Sequence, residues 1–309
     1  MSVATYHSVD VILEARAELG ESPSWDDSAE HLGWVDILRG ELHVTDPATG
    51  NDTVVSAGIV VGAARPTTTV GRWAVATADG FGYLALDGTL DLVDPVLRDQ
   101  PQRMNDAGVD PIGRLWAGSM GWSAEPGQGA LHTWDGVAPS VVAVDGLSLP
   151  NGIAWSPDGQ TLYFVDTVAR HVFTASYAPA DGHIGRIRPL LALPDALPDG
   201  LVVDAEGALW IALWGRAEVR RYAPDGRWIG RVTVPVSQPT SCALAPDGTL
   251  FVTSARIDLG EETLAREPLA GAVFAVHTGV PGLPTARFHG GFPPFEPKPS
   301  SQSREDASS

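Results

Sequence analysis

The apolar residues of this chain fall in short runs separated by polar turns, and one phrase recurs along its length. An apolar pair leads into a turn of the Asp-x-x-Gly or Pro-Asp-Gly type, and a short apolar strand follows that often contains Trp or Phe. The copies read VDPIGRLWAGS about Gly113, WSPDGQTLYFVDT about Gly159, VDAEGALWIALW about Gly207 and LAPDGTLFVTSA about Gly248. TTVGRWAVAT about Gly71 is a weaker relative, and SWDDSAEHLGWVDI puts Ala29 in the glycine place. Anchors at 29, 71, 113, 159, 207 and 248 are 42, 42, 46, 48 and 41 residues apart. A repeat of about 40 to 50 residues is the length of one four-stranded propeller blade. The pattern therefore predicts an all-β fold: a six-bladed β-propeller of four-stranded antiparallel blades around a central channel. Its blades fill residues 10 to 290 of a single domain spanning 1–293.

Composition supports the strand reading. The 34 glycines and 25 prolines are spread at fairly even intervals, which suits many short strands and tight turns, and 44% hydrophobic residues suffice for a large core. The aspartates of the Asp-Gly turns have a local explanation, since such dipeptides supply the positive φ that hairpins need. They are read as turn residues. A formal charge of −18 leaves no basic patch for nucleic acid or an anionic membrane. Cys242 is the one cysteine, so a disulfide within the chain and a thiolate zinc cluster are both excluded. With no leader-like start and no apolar stretch of about 18 residues, a cytoplasmic setting is expected. The stretch from residue 294 to 309 is rich in proline, serine and charge, and is expected to lack fixed structure. MGWSAEPGQG, from Met120 to Gly129, interrupts the repeat and reads as a loop near one mouth of the channel.

Counting back eight residues from each anchor gives Glu21, Ala63, Asn105, Asn151, Asp199 and Thr240. The first strand of each propeller blade lines the channel, so these six positions converge on one ring. Buried carboxylates are costly unless paired or bound to a cation. Glu21, Asn151 and Asp199 offer only oxygen ligands, the set that hard divalent cations accept, with zinc also possible. Three protein ligands leave positions open for water and substrate. Taken singly, Asn and Asp here could be strand-entry turn formers. Their coincidence at one phase in four of six repeats favours a site.

At these residues the chain resembles the senescence marker protein, regucalcin and gluconolactonase family of metal-dependent six-bladed propellers. The resemblance runs through nearly the whole chain, carried by LGESPSWDD at 19–27, RMNDAGVDPIGRLWAGSM at 103–120, LPNGIAWSPDGQTLYFVDT at 149–167, LPDGLVVDAEGALWIA at 197–212 and PTSCALAPDGTLFVTSAR at 239–256. It implies Glu21, Asn151 and Asp199 as ligands of one divalent ion (Ca²⁺, Zn²⁺, Mn²⁺ or Mg²⁺). It implies Arg103 and Asn105, from the RxND motif, as substrate-facing residues. A family glutamate after a GTM motif also contacts substrate; this chain has GSM, and Glu125 is its candidate.

The implied activity is hydrolysis of small sugar lactones such as gluconolactone or a pentonolactone. A divalent ion would polarise the carbonyl and stabilise the oxyanion, Asp199 would take a proton from the attacking water, and Arg103 and Asn105 would orient the ring. Two rivals are kept: an organophosphate hydrolase on the same centre, and a non-catalytic calcium-binding propeller. No histidine shares the channel phase and no Gly-x-Ser-x-Gly elbow occurs, so the eight histidines are read as surface or turn residues. Most tryptophans are read as core, with Trp122 and Trp214 as candidate platforms at the mouth. Neither the particular lactone nor the oligomeric state is legible.

Overall fold

A computed structural model describes residues 3–137 and 139–290. The expected tail from residue 294 lies outside them. Six separate antiparallel sheets are arranged as blades, and the only helix among the described residues is the short Glu261–Arg266. The innermost strands are Gly20–Asp26, Val61–Pro66, Gln102–Val109, Pro150–Trp155, Leu197–Val203 and Pro239–Leu244. Each packs against the next, and the sixth packs against the first, which closes the ring around the channel. The protein is a six-bladed β-propeller, as the repeat predicts.

Closure of the ring is shared between the two ends of the chain. Asp10–Leu13 pairs antiparallel with Val273–His277 as the outer strand of the sixth blade, so that blade mixes residues from both ends of the described chain. Ala4–Tyr6 adds a parallel fifth strand beside Trp228–Thr233 on blade five. Further on, the segment after the sixth blade straps across to blades two and three. Phe288 bridges to Thr67 and stacks on Trp134 with ring centroids 5.2 Å apart.

The turn chemistry accounts for the anchors. Gly71, Gly113, Gly159, Gly207 and Gly248 all have positive φ, between 70° and 92°. In the first blade the register place falls on Ala29, but the left-handed residue is Glu30, at φ 54°. Asp26 instead bonds the backbone N–H groups of Ser28 and Ala29 and tightens the turn from within. Asp110 and Asp204 act likewise: each accepts two turn N–H groups and a tryptophan indole N–H.

Between blades the core is apolar and aromatic. Trp34, Trp116, Trp134 and Trp210 are fully buried. Trp116 meets Trp155 edge to face at 6.0 Å, an arrangement worth about 0.5 to 1.5 kcal/mol beyond area burial. Two histidines differ from expectation by lying inside blades. His43 stacks on Trp34 at 3.8 Å and its Nδ1 is 2.7 Å from Asp52, while His132 Nε2 is 2.9 Å from the Ser119 hydroxyl.

Candidate metal and substrate site

Every inner strand carries an irregularity at the level of the ring. Pairing slips between Glu21 and Ser24, Val61 and Ala63, Met104 and Ala107, Asn151 and Ile153, Pro198 and Leu201, and Pro239 and Cys242. A bulge places extra residues opposite a partner and re-aims their side chains. Here all six bulges stand at the phase that holds Glu21, Ala63, Asn105, Asn151, Asp199 and Thr240. Glycines make the crowding possible. A Cβ on Gly200 would lie 1.9 Å from the Ser241 hydroxyl, and one on Gly152, at φ 26°, would lie 2.6 Å from the Leu201 nitrogen.

The site brings five predicted residues together, all buried: Glu21, Asn105, Asn151 and Asp199 on the ring and Arg103 beside it. The Asn151 amide donates to Asp199 and, at 3.3 Å, to Thr167. Asn105 donates to the Pro150 carbonyl at 3.1 Å, which ties blade three to blade four. Arg103 donates to Asn105 Oδ1 at 2.8 Å and to the Met104 carbonyl at 3.0 Å. Glu21 accepts the Ser22 N–H at 3.0 Å.

Electrostatics in this pocket are unfavourable for anions. Burial, then repulsion from Asp106, pushes the Glu21 carboxyl up to about 8. Burial, then the charges of Glu21 and Asp106, raises Asp199 well above the usual carboxylate range. Burial also lowers the Arg103 guanidinium to about 10 against the attraction of Glu21, which still leaves it cationic at neutral pH. Asn151 Oδ1 is buried with no hydrogen-bond partner. Two crowded carboxylates and an orphaned amide oxygen, all hard donors, fit a divalent cation and leave each of those groups satisfied when one binds. Among the described residues no three His, Cys, Asp or Glu side chains cluster as a metal-binding group; this set has two carboxylates and one carboxamide.

Two members of the site escaped the count of eight. Asp106 follows Asn105 through the bulge and accepts the Ala107 N–H at 2.8 Å. Arg65, from blade two, lies 3.4 Å from Asp106 and donates to the Ser22 carbonyl and hydroxyl at 2.8 Å each and to the Ala107 carbonyl. It thus clamps the bulges of blades one and three and steadies Ser22 at φ 51°. The signal was an arginine two residues past the channel phase in a blade whose ring residue, Ala63, is small.

Glu125 is exposed in the loop after Gly121, and among the described residues its carboxylate makes no hydrogen bond or ion pair. Trp122, 51% exposed, instead holds its ring 5.9 Å from the Arg103 guanidinium. Trp214 is half-buried against an apolar group that includes Leu19, Ile37 and Ile257.

The family model described as the SMP-30/gluconolactonase/LRE-like region matches residues 19–256. The chain belongs to this family. Within the SMP-30/gluconolactonase family it is 35% identical to an L-arabinolactonase of Azospirillum brasilense, over 91% of this chain and 95% of that one. It is 32% identical to a pentonolactonase of Haloferax volcanii, over 91% and 98%. Among solved structures it superposes on a calcium-binding protein, regucalcin, of Agrobacterium tumefaciens with TM-score 0.88 and 31% identity, covering 93% of this chain and all of that one. The SMP-30/gluconolactonase match spans every ring residue, from Glu21 to Thr240.

Proposed function

We propose that the protein is a sugar lactonase that opens small aldonolactones at a single divalent ion held by Glu21, Asn151 and Asp199. The observation that carries this is the orphaned Asn151 oxygen beside two crowded carboxylates, with Asn105 on the same ring and Arg103 bonded to it. The names of its lactonase relatives support the reaction class. Calcium, magnesium, manganese and zinc all suit this donor set, and the regucalcin neighbour's description as calcium-binding favours calcium.

The bound ion supplies polarisation of the lactone carbonyl and stabilisation of the oxyanion. The protein's own side chains do the rest. Arg103 and Asn105, already bonded to each other, orient the ring by its hydroxyls. Asp199 accepts a proton from the water whose oxygen attacks the carbonyl carbon. The ring C–O bond then breaks, its oxygen takes up the proton, and the aldonic acid ionises in solution. Arg65 keeps Asp106 paired, and that carboxylate stays outside the proton transfer.

The regucalcin likeness also favours a second reading, a calcium-binding propeller without catalysis. Proton release measured over a panel of five- and six-carbon aldonolactones, with metal-stripped protein reloaded with each ion, separates the two. Hydrolysis that needs the ion and Asp199 is expected; binding of calcium with no hydrolysis would establish the second reading. The single buried cysteine accords with a cytoplasmic enzyme. Among the described residues no helix is long and apolar enough to cross a membrane.

A further inference from the structure

The loop between Gly121 and Gly129 is pinned at both ends beside Arg103. At one end the Trp122 N–H donates to the Pro101 carbonyl at 3.4 Å; at the other the Gln102 side chain donates to the Gln128 carbonyl. Ala124 and Gly127, at φ 51° and 79°, turn the chain between them. The pinning holds the backbone at Trp122 beside a guanidinium that is itself bonded to Met104 and Asn105, with the indole 5.9 Å from it. So large an aromatic surface, half exposed, is not serving the core. A cation 5.9 Å from the ring lies within the range of a cation–π contact, which is strengthened when solvent is excluded.

Building on the lactonase reading, we propose that Trp122 is a specificity-determining residue that stacks on the C–H face of the lactone ring while Arg103 bonds the ring's hydroxyls. A sugar ring has one face dominated by C–H groups and edges dominated by hydroxyls, and Trp122 and Arg103 together offer an indole to the first and a guanidinium to the second. The indole face accepts no strong hydrogen bond. An extra exocyclic hydroxyl turned onto it loses its water without gaining a partner. The residue therefore favours five-carbon aldonolactones over six-carbon ones. Glu125, exposed in the same loop, does not share this role.

The test is steady-state kinetics of the metal-loaded wild type, Trp122→Ala, Trp122→Phe and Glu125→Gln on paired five- and six-carbon aldonolactones, with thermal melting of each variant. Trp122→Ala is expected to raise KM for the five-carbon substrate about tenfold, with kcat changed less than about threefold and the melting point unmoved. Its preference for five carbons should fall toward unity, and Trp122→Phe should restore most of both. Unchanged KM in Trp122→Ala, an equal loss on both substrates, or a larger loss in Glu125→Gln would overturn the assignment. A wild type that hydrolyses no lactone with any ion would instead remove the lactonase reading itself, and this assignment with it.

Discussion

Blades one, three, four and five place Glu21, Asn105, Asn151 and Asp199 on the channel ring, whereas blades two and six place Ala63 and Thr240 at the same position of the same bulged strand. The backbone is repeated and the chemistry is not. Thr240 spends its hydroxyl on structure, donating to the Gly20 carbonyl at 2.6 Å and lying 2.8 Å from the Thr253 hydroxyl. Ala63 leaves room at the ring, and its blade contributes Arg65 two residues later. Two blades thus hold the ring together and balance its charge while four furnish oxygen donors and hydrogen bonds. A propeller can acquire a site by choosing residues at one bulge, without altering the scaffold.

That division can be broken by exchanging members of each class. Asp199→Ala, from the donor class, removes the proposed ligand and proton acceptor together and should lower kcat on an aldonolactone about 1000-fold, read by proton release. Arg65→Met, from the supporting class, leaves Asp106 buried beside Glu21 without its cation. A loss of about 3 kcal/mol in urea unfolding is expected.

A third case sharpens the contrast from behind blade three. Burial holds the His132 imidazole down to about 4, from an ordinary value near 6.5. Between those values the unfolded chain binds a proton that the folded chain refuses, so stability is present above about pH 6.5 and is lost as the pH falls toward 4. Unfolding of wild type and His132→Gln, compared across that window, should show a steeper acid decline in the wild type by about 3 kcal/mol. Smallest of all, Thr240→Val should cost about 1 kcal/mol of stability by leaving the Gly20 carbonyl unpaired, with kcat within about twofold of wild type.

Much of this division was legible in the chain itself. Turn glycines at a period near 45 residues declare the blades because each hairpin needs a left-handed residue, and counting from them finds Glu21, Asn105, Asn151 and Asp199 because every inner strand is the same length from ring to turn. Asp106 and Arg65 were not legible by that count. It assigns one channel residue per strand, as a regular strand would, whereas a bulge lets consecutive residues Asn105 and Asp106 both serve the site. The buried histidines were missed because charge and phase say nothing about a stacking partner such as Trp34, which arrives from the neighbouring strand. The N-terminal outer strand of blade six was equally hidden, since Asp10–Leu13 carries no turn anchor of its own.

The same strands end, beyond the ring, in a cavity of about 480 Å³ lined by Trp25, Ile153, Trp155, Leu201 and Leu244. Arg65 and Asp106, whose side chains lie 3.4 Å apart, line this cavity as well as the site, together with polar residues such as Ser24, Ser241 and Asp158.

The central claim, that one cation sits among Glu21, Asn151 and Asp199, is tested most directly by anomalous diffraction from a crystal of the full chain soaked in manganese. A single strong peak touching oxygens of those three side chains is the predicted result. A peak at another place with none on the ring, or no peak from a crystal whose protein hydrolyses lactones, would contradict it.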